Sequence, residues 1–230
     1  MIDFDSYLRD CADGHAIYVL GGQGEILSDM TDEERHRFIS VREHSNMTYI
    51  TQDEAAYQLK VTQGFDKIAA FDCSGLIVHF LLDITGEIGY DTTANGLYKL
   101  CDYHPSLNEL KPYDLVFIGN NANDIWHCGV YMGDGKVIES RRIGYGVQMT
   151  DFDKRGWNMY GHLKQLDKYL PTENHPNFTI TKPMQQGAAV KKLQQLLTEC
   201  GFNCGNIDGK FGKKTNAALQ RFCRYYLIEE

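Results

Sequence analysis

The chain has no apolar run near the roughly 20 residues that crossing a bilayer requires, so no membrane span is expected in its 230 residues. It lacks a basic surplus. With 23 Lys and Arg against 31 Asp and Glu its net charge is −8, the wrong sign for a nucleic-acid footprint. It has no C-x-x-C pair, and its seven cysteines are odd in number and irregularly spaced, so they do not form a disulfide framework. Cys200 and Cys204 are close enough in sequence to pair but have no zinc spacing around them. No H-E-x-x-H is present, and His104, His127 and His162 show no ligand spacing. No metal or cofactor is therefore expected. The glycine-rich Gly21-Gly22-Gln23-Gly24 falls short of G-x-G-x-x-G and no clear helix follows it, which excludes a phosphate-binding loop. The start, Met1 to Ser6, has no basic stretch followed by an apolar one, so synthesis in the cytoplasm without a signal peptide is expected.

What is present divides unevenly. From Phe178 onward there are eight Lys and Arg and four Asp and Glu, a net of +4, which leaves −12 on the rest. Polar residues with Pro171 and Pro176 separate the two parts. Three segments follow: a domain over 1–166, a linker over 167–177 and a small module over 178–230. In the first, Phe4, Leu8 and Cys11 mark a short helix closed near Gly14. Capping boxes Thr31-x-x-Glu34 and Thr51-x-x-Glu54 mark two helices within a helical insertion at about 26–67. Thr93 to Cys101 reads as a further short helix. The period then changes to that of strands at Leu115–Ile118, Trp126–Met132, Lys136–Ser140 and Val147–Met149, with Gly133-Asp134-Gly135 as a hairpin turn. Helices followed by an antiparallel sheet give an α+β fold, with a second, small all-α domain. In the last segment, Val190, Leu193, Leu196 and Leu197 mark one helix, and Ala217, Ala218, Phe222 and Tyr225 another.

Candidate chemistry centres on Phe71-Asp72-Cys73-Ser74-Gly75, which runs directly into the apolar helix of Leu76, Ile77, Phe80 and Leu81. A cysteine at or just before a helix start loses its proton more readily, and the thiolate is the nucleophile. Alternation puts His127 with Gly129 and Tyr131 on one face of its strand, and Cys128 with Val130 and Met132 on the other, where Cys128 fills the core. Closing the hairpin pairs Met132 with Lys136 and Gly129 with Glu139, so Glu139 lies diagonal to His127. Cys73, His127 and Glu139 thus supply a nucleophile, a base and a group that orients the base. His162 and His104 are alternatives for the third position.

Asp72-Cys73-Ser74-Gly75-Leu76 and His127-x-Gly129-Val130-Tyr131-x-Gly133-Asp134-Gly135 resemble the two signatures of NlpC-type cell-wall peptidases, which are papain-like cysteine endopeptidases. Ile17-Tyr18-Val19-Leu20-Gly21-Gly22 resembles the motif that precedes the family's cysteine. By that resemblance Tyr18 places its hydroxyl beside the thiolate and the developing oxyanion. The third position is often His in the family and is Glu139 here; Cys128 stands where Val is common. The tail, from Gly187-x-x-Val190 to Asp208-Gly209-x-Phe211-Gly212, resembles the helical peptidoglycan-binding domain of wall hydrolases. There Gly209 and Gly212 supply turns, and Ile207, Phe211 and Leu219 are packing residues. The resemblance implies cleavage of a stem-peptide amide, at the bond from γ-D-glutamate to the diamino acid, through a thioester. Bacterial peptidoglycan is then the partner and the cell wall the place of action. A phage endolysin, bacteriolytic after release through a holin pore, fits this expectation. The alternatives are an N-acetylmuramoyl-L-alanine amidase or an acyl transferase on the same scaffold, or a non-catalytic wall-binding protein.

Overall fold

The computed structural model describes residues 3–142, 144–171 and 184–225. The chain divides into two compact units, Met1–Pro171 and Thr172–Glu230.

The first unit opens with α1 (Phe4–Asp10), capped by the Asp3 carboxylate, which accepts the Ser6 N–H. Phe4, Tyr7 and Leu8 are its buried face. A wide turn ends the helix at Gly14, whose φ of +124° suits glycine. Next come β1 (Ala16–Tyr18) and β2 (Gln23–Ile26). The helices α2 (Asp32–Arg42) and α3 (Met47–Thr62) follow, and then β3 (Ala69–Phe71). β3 lies between the other two strands, parallel to β1 and antiparallel to β2. This small sheet is buried on both faces. Ala16, Ala69 and Phe71 join the main core. Ile17, Val19, Ile68 and Ala70 pack under Ile39, Ile50 and Tyr57 of the two inserted helices. The insertion is therefore a structural layer with its own apolar core.

The Thr31–Glu34 capping box forms as expected. The one expected at Thr51 does not: α3 starts a turn earlier, capped by Asn46, and the Thr51 hydroxyl donates to the Met47 carbonyl inside the helix. Asn46 outcompetes Thr51 because its side-chain oxygen already accepts the N–H groups of Thr48 and Tyr49.

α4 (Gly75–His79) and the wide turn Phe80–Ile84 form the central helix. Leu76, Ile77, Val78, Phe80 and Leu81 are all fully buried. At roughly 1.5–3 kcal/mol for each large apolar side chain taken from water, this segment anchors the unit. α5 (Ala94–Leu100) is capped by Thr93. The second sheet holds β4 (Leu115–Asn121), β5 (Asp124–Gly133), β6 (Lys136–Ser140), β7 (Val147–Asp151) and β8 (Met159–Gly161), in the order β7-β6-β5-β4-β8. All of its pairings are antiparallel. The edge strand β8 is too short to show a period and was not expected. At the β5–β6 hairpin Gly133, not Met132, pairs with Lys136, around the two positive-φ residues Asp134 and Gly135. An irregularity absorbs the extra residue, so Tyr131 meets Val137 and Val130 meets Ile138. Gly129 stays beside Glu139: a Cβ on it would lie 3.2 Å from the Glu139 Cβ. The first unit ends in a 3-10 helix, Lys164–Tyr169. The Tyr169 hydroxyl donates to Glu87, so residues 167–169 belong to this unit and not to the expected linker. The part of that linker beyond Pro171 lies outside the described residues.

The second unit holds α6 (Ala188–Glu199) and α7 (Lys213–Tyr225). Leu197, Cys204 and Ala218 pack with Leu193, Phe202, Leu219 and Phe222. Gln194 is buried at its centre. Its amide donates to Asp208, the Lys210 carbonyl and Thr215, and its oxygen accepts the Gly209 N–H at 2.7 Å. Phe211 is fully buried, whereas Ile207, expected to pack, is 38% exposed on the outer side of the turn. Gly209 has a φ of +71°; Gly212 does not adopt a positive φ. No described helix is long and apolar enough to cross a membrane.

Candidate active site

Cys73 lies in the turn just ahead of α4 and is half-buried. Asp72 fixes that turn. Its Oδ1 accepts the Gly75 N–H at 2.6 Å and the Ser74 hydroxyl, and its Oδ2 accepts the Gly21 N–H. The Asp72 N–H donates to the Gly22 carbonyl at 2.9 Å. The glycine-rich turn after β1 therefore serves as a brace for the nucleophile's backbone. On the other side, the Ser140 hydroxyl donates to the Phe71 carbonyl at 2.8 Å. Two sheets and a helix thus converge on one cysteine.

His127 on β5 is buried, 8% exposed, and stacks on Trp157 with ring centres 5.4 Å apart. Its Nε2–H donates to Glu139 Oε2 at 2.6 Å. That leaves Nδ1 for the cysteine. Glu139 is fully buried and fully engaged. Its Oε1 accepts from the Thr150 hydroxyl at 2.7 Å and from Arg155 Nε at 2.8 Å, and its Oε2 also accepts Arg155 Nη2 at 2.9 Å. A buried carboxylate this well satisfied stays ionised. Burial alone would raise it, but His127, Arg155 and Thr150 bring it down to about 2.

The charges of the pair follow. The neighbouring Cys128 thiol, together with His127, holds Cys73 well below the usual thiol value against the effect of burial. Burial would lower His127, but hydrogen bonds to Cys73 and Glu139 raise it to about 9. Both shifts favour a thiolate–imidazolium pair. Cys128 and His127 thus add to the helix start that the sequence offers as a source of the thiolate.

Tyr18, at the end of β1, feels the Cys73 charge. Burial, then that charge, pushes its phenol well up, so it stays a neutral donor. It opens onto a groove of about 270 Å³ lined also by Leu20, Glu43, Tyr49, Gln52 and Arg142. The inserted helices thus wall a groove that includes Tyr18. His104 and His162 are elsewhere: His104 contacts the Tyr160 carbonyl, and His162 is paired with Asp114 and Asp167.

Residues 55–164 match the NlpC/P60 family, and residues 186–226 match the putative peptidoglycan binding domain. Over the former stretch the first unit is similar to the NlpC/P60 family. Cys73, His127 and Glu139 fall within the matched stretch; Tyr18 lies before it. Among curated relatives, murein DD-endopeptidase MepH of Escherichia coli is 40% identical over 94 residues, 39% of this chain and 34% of that protein. The probable endopeptidase YafL of the same organism is 31% identical over 132 residues, 54% of this chain and 51% of that protein. The chain thus spans a third to a half of the length of these relatives. A crystal structure of the NlpC/p60 domain of peptidoglycan hydrolase SagA aligns at 21% identity with a TM-score of 0.36, over 41% of this chain and 78% of that one.

Several residues of the site were not assigned a role from sequence. Arg155 and Thr150 hold Glu139 from β7 and the turn after it. Thr150 could have been found by alternation, since it sits opposite Val137, diagonal to Glu139. Arg155 has no local signal, being one of two adjacent cations in a polar turn. Asp72 stood in the cysteine motif, but its link to Gly21 spans 51 residues.

Proposed function

We propose that this protein is a cysteine-type peptidoglycan endopeptidase. The observation that supports this most directly is the Cys73–His127–Glu139 chain: a thiolate beside an imidazolium whose far nitrogen is locked at 2.6 Å to a buried, ionised carboxylate. In this reading Cys73 attacks a peptide carbonyl. A C–S bond forms and the carbonyl electrons move to oxygen, toward the neutral Tyr18 hydroxyl. As the tetrahedral species collapses, the C–N bond breaks and His127 Nδ1 passes its proton to the departing amine, leaving a thioester. Water then attacks the thioester with His127 as base, and the thiolate is restored. Glu139 keeps the ring oriented and stabilises its charge. It stays ionised throughout, because its other partners, Arg155 and Thr150, do not change. The domains of this reading are 1–166, its last turn extending to about 170, and a module from about 178 that holds the enzyme on the insoluble wall. Tethering of that kind raises local concentration without new contacts at the site.

The bond proposed is the one between γ-D-glutamate and the diamino acid. A second reading, cleavage of the D,D cross-link, is favoured by the name of the 40% identical relative, a murein DD-endopeptidase. One experiment separates them: mass spectrometry of purified, cross-linked peptidoglycan digested with wild type and with Cys73→Ala. New γ-linked D-glutamate ends, seen with wild type only, establish the first reading. Conversion of cross-linked dimers to intact monomers establishes the second. Glycan chains freed of whole peptides would indicate an amidase. Wall binding without release by either protein would leave a non-catalytic binder.

A further inference from the structure

One sulfur beside the nucleophile makes and breaks no bond in this hydrolysis. Cys128 follows His127 on β5 and faces the helical core, fully buried. Its Sγ lies 3.2 Å from the Cys73 carbonyl oxygen, so the second thiol packs against the nucleophile's own residue. Packing alone would be met by an apolar side chain of the same size. A thiol at this position brings a second oxidisable sulfur against the first. Cys73 is reachable from solvent while Cys128 is not, which is the arrangement of an attacking and a resolving cysteine.

We propose that Cys73 and Cys128 form a peroxide-responsive dithiol, closing reversibly to a Cys73–Cys128 disulfide that withdraws the nucleophile. The chemistry balances with a hydroperoxide as oxidant. The Cys73 thiolate attacks one peroxide oxygen; an S–O bond forms and the O–O bond breaks. The departing hydroxide takes a proton from the adjacent His127 imidazolium and leaves as water. Cys73 is now a sulfenic acid, oxidised by two electrons. The Cys128 sulfur attacks it, the S–S bond forms and the S–O bond breaks. The hydroxide released takes the Cys128 proton and leaves as a second water. Two thiols and one peroxide thus give one disulfide and two waters. Cys128 starts against the Cys73 backbone, and bringing the sulfurs to about 2.0 Å calls for rotation of both side chains. An external dithiol reverses the reaction by attacking the accessible Cys73 sulfur and releasing Cys128. Without a resolving partner the sulfenic acid proceeds to sulfinic acid, from which there is no simple return.

The proposal rests on the reading of Cys73 as a thiolate nucleophile, but its test does not need hydrolysis as the readout. Reduced full-length protein is treated with a small excess of hydrogen peroxide, peptide-mapped by mass spectrometry and assayed on purified peptidoglycan before and after dithiothreitol. The same is done with Cys128→Val. Wild type should lose about 2 Da, with the Cys73 and Cys128 peptides cross-linked, and regain most of its own starting rate with dithiothreitol. Cys128→Val should gain about 32 Da at Cys73 and recover little. Sulfinic acid at Cys73 in wild type as readily as in the variant would overturn the proposal. So would a cross-link from Cys73 to any other cysteine. The wild-type map decides even if the variant fails to fold. A Cys73–Cys128 cross-link in a protein that hydrolyses no wall would uphold the dithiol and defeat the endopeptidase reading. Hydrolysis with no cross-link would do the reverse.

Discussion

Replacing Glu139 by Gln tests the electrostatics of the site at its least accessible point. The substitution keeps the shape and removes the charge. Burial pulls the His127 ring down, yet Cys73 and Glu139 together hold it at about 9 against an ordinary 6.5. That difference amounts to roughly 3 kcal/mol in favour of the imidazolium. Shared equally between the two partners, Glu139 supplies about 1.5–2 kcal/mol, or some 10–30-fold in the equilibrium that keeps the proton on His127. At pH 9 and above, kcat/KM should fall by about tenfold or more. The more telling readout is its pH profile. The basic limb reports the proton on His127, so in wild type it should fall away near pH 9 and in Glu139→Gln it should shift to lower pH. The pH dependence of Cys73 alkylation by iodoacetamide, which needs no substrate, should change with it, because less imidazolium means less thiolate near neutrality. A Glu139→Gln enzyme with an unmoved basic limb and a rate at pH 9 within about threefold of wild type would refute this account of Glu139.

Arg155→Met leaves the Glu139 charge buried with one cation fewer, and should cost roughly 2–4 kcal/mol of stability at neutral pH. Glu139 is depressed to about 2 in the fold, so its contribution is present above the ordinary carboxylate value and lost as pH falls toward 2. The thermal-melting gap between wild type and variant should therefore close in acid. Asp53 has the opposite sense. It is fully buried on α3, both of its oxygens lack a hydrogen-bond partner, and burial followed by Glu43 raises it to about 8. Its fold holds a proton that the unfolded chain gives up above about pH 4, so stability is lost as pH rises from there to 8, and Asp53→Asn should melt higher than wild type at pH 8 and equally at pH 4. Gly75→Ala would set a Cβ 2.0 Å from the Gly22 carbonyl oxygen. A lowered urea midpoint, by about 2 kcal/mol or more, and a loss of activity from the displaced Cys73 turn are expected together.

The sequence showed most where the deciding interactions are local. The apolar run after Cys73 announces a buried helix because Leu76, Ile77, Phe80 and Leu81 repeat at its period. His127 and Glu139 could be put on one face because strand alternation and a short hairpin leave little freedom, and a one-residue irregularity at Met132 did not disturb Gly129 and Glu139. Legibility ended where partners come from distant segments. β1 and β3 have three residues each, too few for a period, so the small sheet had no signature. Thr51-x-x-Glu54 has the spacing of a capping box, but Asn46 caps first. Arg155 is tied to Glu139 only by the closing of β7 and its following turn. Ile207 reads as core by composition and lies outside the turn, because Gln194 fills the centre and bonds the loop backbone there.

The hydrogen bonds that shape the Cys73 turn have a further consequence, for the order in which the chain acquires activity. Gly21 reaches Asp72 across 51 residues, and Ser140 reaches Phe71 across 69. Arg155 then closes the far side of Glu139. No contiguous fragment contains a working subset of these bonds. Forming the first two requires long loops of the first unit to be closed, and contacts of high sequence separation come late and slowly. Competence to catalyse should therefore appear with the last folding phase, well after the helices have formed. Refolding followed by Cys73 alkylation should lag behind refolding followed by circular dichroism.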